Sequence, residues 1–155
     1  MVLPFLTLYL TSQRKVSAAD AGFVIAVYGF GALITAPVMG RISDKIGALK
    51  VMKFSLIFSG VTLFLFSFIT NYYLILFITF TWSVINEAFR PANMSLISEV
   101  TDSSQRRTAF ALNRLAINLG MSIGPVAGGF LSLIDFSLLF YVDGFTALAA
   151  GLYLT

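Results

Sequence analysis

Four ionisable residues fall inside long apolar runs of this sequence: Glu87, Arg90, Arg114 and Asp143. A charge at the centre of a membrane helix carries an apparent insertion cost of roughly 2.5–3.5 kcal/mol, so such a residue faces a cavity or a partner. Glu87 and Arg90 are three residues apart, a spacing that allows an ion pair within one helix. Two readings follow. The pair satisfies itself or braces a neighbouring helix, or Glu87 accepts a proton and thereby releases Arg90 to an anionic partner. The chain has no His and no Cys. Carboxylates are therefore the groups left to exchange protons near neutral pH, and neither a disulfide framework nor a thiolate metal site is available. No nucleophile–base pairing, metal-ligand cluster or phosphate-binding glycine loop is recognisable, so no catalytic residue, metal or cofactor is expected and enzyme chemistry has no support.

The other two charges leave more than one reading open. Arg114 and Asn118 are one helical turn apart, with Met121 and Pro125 on their side and a glycine stripe rotated by about 100°. Arg114 either lines a partly polar helix face or snorkels from the start of its helix to the interface. Asp143 lies a short way into the last run, near its outer end. It is a packing carboxylate, a partner for a cation elsewhere, or part of an outward proton route.

The elements that must position these residues are set by composition. Of 155 residues 58% are hydrophobic and 11% charged, and mean hydropathy is +0.91. A water-soluble domain is nearer a quarter charged, so an all-α membrane protein is expected. Six spans can be read: Met1–Thr11, Ala21–Gly40, Val51–Thr70, Tyr73–Ser98, Thr108–Ile134 and Phe136–Thr155. Met1–Thr11 is about half the roughly 20 residues needed to cross hydrocarbon, without the basic start or cleavage site of a signal peptide. The first and last spans are thus expected to be truncated. Asp102-x-x-Gln105 resembles a capping pattern at the start of the fifth span. The links around 41–50 and 99–107 hold Arg41, Lys45, Lys50, Arg106 and Arg107, with Lys53 adjoining, whereas the opposite side holds Arg14 and Lys15. The cation bias makes the richer side cytoplasmic. The net charge of +3 reads as orientation in a lipid bilayer, with no nucleic-acid partner.

Small residues mark where helices approach closely in lipid. Ala32, Ala36 and Gly40 recur on the second span, and Gly120, Gly124 and Gly128 on the fifth, beside Pro125 and Gly129. Pro125 removes a backbone donor and is expected to bend or loosen its helix. The plain reading of both stripes is close packing; a flexing point is the other. Tyr28, Phe30, Trp82 and Phe89 are aromatics that could line an apolar cavity, pack between helices or face lipid.

Between the second and third spans lies Gly40-Arg-Ile-Ser-Asp44-Lys45-Ile-Gly47-Ala-Leu-Lys50, expected as a short charged turn. Its Gly40, Asp44, Lys45, Gly47 and Lys50 resemble the loop signature of the major facilitator superfamily. Ala48 and Leu49 stand where many members carry basic residues. Gly120-x-x-x-Gly124-Pro125-x-x-Gly128-Gly129 resembles that family's antiporter motif, and Arg90-Pro91-Ala92 through Glu99 and Arg106-Arg107, then Asn118-Leu119-Gly120, looks like bacterial drug-exporter members. The resemblance covers essentially all of residues 1–155 as the amino-terminal transmembrane domain, half of a twelve-helix transporter. It implies alternating access, with Asp44 facing a helix end in the missing carboxy-terminal half as a gate and Lys45 or Lys50 in the same charge network. It further implies proton-coupled efflux of small amphipathic or drug-like compounds from a multi-pass protein of the bacterial inner membrane. The arginine that many proton-coupled exporters carry in the outer fourth helix is lacking between Phe77 and Trp82, and its role does not transfer to Arg90. An importer of the same fold, and a non-transporting receptor or scaffold, are the alternatives.

Overall fold

A computed structural model describes residues 2–154. Seven helices make up the described secondary structure: α1 (Leu3–Ser12), α2 (Ala18–Ile46), α3 (Ala48–Phe68), α4 (Tyr72–Glu87), α5 (Phe89–Val100), α6 (Arg106–Ile134) and α7 (Phe136–Tyr153). Taking α4 and α5 as one span, five helices are long and apolar enough to cross a bilayer, and α1 is a shorter apolar helix. The fold is the expected all-α membrane bundle.

Local chemistry sets the helix limits. Ser17 caps α2 by accepting from the Asp20 N–H, Asn71 caps α4 by accepting from the Tyr73 and Leu74 N–H groups, and Asp135 caps α7 by accepting from Ser137. These short polar side chains satisfy donors that have no partner inside the helix. The expected cap at Asp102 is not formed. α6 begins after Gln105, which gives no side-chain cap, and Asp102 contributes only its carbonyl, to the N–H groups of Gln105 and Arg106.

Two sequence expectations are corrected. The stretch from Gly40 to Lys50 is not a turn: α2 continues through Gly40, Asp44 and Lys45 to Ile46, and α3 starts at Ala48, with Lys50 in its first turn. Polar residues leave the hydrocarbon without leaving the helix, and only Gly47 breaks the path. Its φ of +98° is a left-handed value that side-chain-bearing residues resist. The fourth span, expected as one helix, breaks at Ala88. Pro91 supplies the reason, because it has no N–H to give the Glu87 carbonyl and its ring crowds that oxygen.

The main core gathers Leu6, Tyr9 and Leu10 of α1, Val24 and Tyr28 of α2, Phe66 of α3, Ile75 and Trp82 of α4 and Phe140 of α7. The buried face of α2 is Ala21, Val24, Tyr28, Gly31 and Thr35, not the stripe Ala32–Ala36–Gly40. Close approach occurs at other glycines. A Cβ on Gly60 of α3 would lie 2.7 Å from the Gly144 carbonyl oxygen of α7, and one on Gly31 would lie 2.8 Å from Ser83 Oγ of α4. Cβ atoms built on Gly40, Gly120, Gly124 and Gly129 meet nothing within 4 Å, so their packing is not made within the described chain. α6 remains unbroken through Pro125, with Gly128 its one buried residue.

This contrast makes a prediction. Gly60→Val should lower the stability of the detergent-solubilised chain by about 1–3 kcal/mol, because backbone cannot yield to the added atoms. Gly124→Ala should leave its melting unchanged. Equal losses in both variants would contradict the packing described.

Candidate functional site in the bundle cavity

The polar residues of the apolar helices converge on an open cavity of about 580 Å³. Its walls come from α2 (Tyr28), α3 (Ser59), α4 (Trp82, Asn86, Glu87), α5 (Arg90), α6 (Gly120, Met121, Gly124, Pro125) and α7 (Asp143), with Leu3 and Pro4 of α1 at one side. The break at Ala88 puts Glu87 on the last turn of α4 and Arg90 on the first of α5. The Arg90 Nε lies 3.4 Å from Glu87 Oε2, so the ion pair expected from the spacing is present. The two ends of the pair differ in setting: the Glu87 side chain is 15% exposed and that of Arg90 78%.

The other carboxylate oxygen is held from a different helix. The Tyr28 hydroxyl donates to Glu87 Oε1 at 3.1 Å and accepts from Asn86 Nδ2 at 2.9 Å. Ser59 Oγ donates to Asn86 Oδ1 at 3.4 Å and itself accepts from the Trp82 indole N–H at 2.9 Å. Three helices, α2, α3 and α4, thus share one connected set of donors and acceptors. Around it the helices are clasped by uncharged groups: Ser83 Oγ donates to the Tyr28 carbonyl, and Ser55 Oγ to the Ile85 carbonyl at 2.6 Å. Tyr28 and Trp82 meet edge to face with centroids 5.1 Å apart, a favourable aromatic geometry.

The sequence candidates separate. Glu87, Arg90 and Asp143 share the cavity with Gly120, Gly124 and Pro125. Asp143 is partly buried and its Oδ2 accepts from the Val2 N–H at 3.0 Å. Arg114 and Asn118 are exposed on α6 and line a second cavity of about 550 Å³ with Met94 and Phe110. Asp44, Lys45 and Lys50 are exposed at the α2–α3 junction, and among the described residues no ion pair joins them. Of the four aromatics, Tyr28 and Trp82 reach the cavity, Phe89 packs on the small cluster of Val51, Met52, Ala88 and Ala92, and Phe30 is exposed. Sequence reading missed Asn86 and Ser59. Their signal was available as uncharged hydrogen-bonding groups inside apolar spans, where an unmet donor or acceptor is costly.

A family model described as Major Facilitator Superfamily matches residues 1–155. The chain belongs to the major facilitator superfamily. The uncharacterized MFS-type transporter YqjV of Bacillus subtilis (strain 168) is 33% identical over 133 residues, which is 83% of this chain and 31% of the relative. The quinolone resistance protein NorA of Staphylococcus aureus (strain MRSA252) is 26% identical over 144 residues, 93% of this chain and 37% of the relative. The chain therefore spans about a third of the length of these superfamily members, and it is an integral, multi-pass membrane protein.

The origin of the break at Ala88 can be checked by hydrogen exchange. In Pro91→Ala the new amide at position 91 should bond the Glu87 carbonyl, join α4 to α5 and exchange slowly. Rapid exchange at that amide would show that the break has another cause.

Proposed function

We propose that this chain is the amino-terminal six-helix half of a twelve-helix secondary transporter of the bacterial plasma membrane. It exports small amphipathic or drug-like compounds by alternating access, in exchange for protons carried by Glu87. The observation that carries the reading is the setting of that carboxylate. It is largely buried, it faces a cavity large enough for a small molecule, and its counter-charge Arg90 is free to move into water. A carboxylate placed in this way gains or loses a proton at the cost of one ion pair, and each change alters the charge that a bound compound meets. Substrate class rests on the mixed wall of aromatic, apolar and ionic groups and on the similarity to the quinolone resistance protein. The bacterial sources of both relatives support the membrane assigned.

Asp44 is proposed as the gate, with Gly40, Lys45, Gly47 and Lys50 shaping the end of α2 and start of α3. An exposed carboxylate there can face the N-terminus of a helix in the second half, an interaction of roughly 0.3–1 kcal/mol that breaks as the halves rock. The glycine face of α6 around Gly120, Gly124, Gly128 and Gly129 is proposed as a close-packing surface toward that half. Asp143, Arg114 and Asn118 are proposed to line the substrate or proton pathway.

Two variants of the intact transporter test these roles in vesicles. Glu87→Gln should reduce pH-gradient-driven export at least tenfold while leaving the protein folded; unchanged proton-driven export would overturn the proton role. Asp44→Asn should shift the inward/outward distribution, read by labelling of a single introduced cysteine. An unaltered distribution together with unaltered transport would remove the gating role.

A further inference from the structure

The donors around Glu87 all run in one direction. The Trp82 N–H gives to Ser59, the Ser59 hydroxyl to Asn86, the Asn86 amide to Tyr28, and the Tyr28 hydroxyl to Glu87 Oε1. Tyr28 has a single hydroxyl proton, and it is committed to the carboxylate. Its oxygen is occupied by Asn86, its ring is buried against Trp82, and its carbonyl is held by Ser83. Gly31, one turn on, allows α2 to lie directly on Ser83. Little freedom remains at Oε1. At Oε2, among the described residues, the contact is a 3.4 Å approach from an exposed guanidinium.

We propose that Tyr28 is a positioning residue that divides the roles of the two Glu87 oxygens: Oε1 is the fixed oxygen, Oε2 exchanges the proton, and the donor chain reports that exchange at Trp82 on the cavity wall. The proposal rests on Glu87 being the proton carrier. In the step, a hydronium ion in the cavity gives its proton to Oε2, an O–H bond forms there, and a water molecule is left. The carboxyl becomes neutral, Arg90 keeps its charge and loses its partner. Oε1 becomes the carbonyl oxygen of an acid and a weaker acceptor. Hydrogen bonds in a chain polarise one another, so the loss at Tyr28 is passed through Asn86 and Ser59 to the indole N–H. The cavity wall that meets a substrate thereby changes with the proton.

The charged or titratable groups that share the cavity with Glu87 are Tyr28 from α2, Arg90 from α5 and Asp143 from α7; its wall residues from α3 and α6 are uncharged. Trp82 is the only tryptophan in the sequence, so its emission reads the end of the chain without ambiguity. The test uses the full chain in lipid vesicles, titrated with acid while infrared absorption of protonated carboxyl groups and Trp82 emission are both followed. The spectrum of wild type minus Glu87→Gln should show a carboxylic-acid band whose midpoint matches that of the wild-type emission shift. Glu87→Gln should lose the emission shift, and Asp102→Asn, outside the cavity, should keep both the Glu87-dependent band and the shift. Tyr28→Phe should keep the acid band and lose the emission shift, and Ser59→Ala, which cuts the chain at a different link, should do the same. A full emission shift retained in both Tyr28→Phe and Ser59→Ala, or a wild-type band without any emission shift, overturns the relay and leaves the proton role standing. The absence of any Glu87-dependent band overturns both.

Discussion

A carboxylate among apolar helices has to be answered by donors, and here the answer comes from the Tyr28 hydroxyl on another helix. Much of the bundle is arranged so that this one bond can exist. α2 reaches α4 because Gly31 admits Ser83 and because Ser83 bonds the Tyr28 carbonyl. α3 joins through Ser59, which accepts from Trp82 and donates to Asn86. Pro91 ends α4 where Glu87 must turn toward the cavity, and Arg90 follows on the far side of the break. Leaving a buried acceptor unmet in a setting of low dielectric costs far more than a surface bond contributes, so these contacts stand or fall together.

The two sides of the molecule are built differently. α3 and α7 meet through glycines and share the most extensive interface, while α6 turns a broad apolar surface outward. Leu112, Leu115, Met121, Ile123, Val126 and Phe130 are all exposed on it. In lipid such a surface is stable, since hydrocarbon is as apolar as these side chains. It is also the surface on which the proposed second half would close the cavity from the α6 side. The chain spans about a third of the length of these relatives.

Much of this was legible before any coordinates. Apolar run length located each span, because hydrocarbon thickness fixes helix length, and the charged residues inside the runs pointed to Glu87 and Arg90. The pair's contact followed from its spacing alone. What spacing could not supply was any relation between helices. Tyr28 and Glu87 are 59 residues apart, so nothing local links them. Asn86 and Ser59 carry no charge and drew no notice. Charge also misleads at the α2–α3 junction, where Gly40 to Lys50 is expected as a short charged turn although polar residues extend a helix into water without strain. Repetition of small residues marks a face that can pack closely, but not whether its partner belongs to the same chain.

The central claim is that Glu87 takes up a proton while shielded in the bundle. A hydrophobic carbodiimide, which reacts with protonated carboxyl groups inside membranes, tests it directly when the adduct is located by mass spectrometry. The account predicts an adduct on Glu87 that forms faster as pH falls and is absent from Glu87→Gln. Labelling confined to the exposed carboxylates, with Glu87 unmodified at every pH, would contradict it.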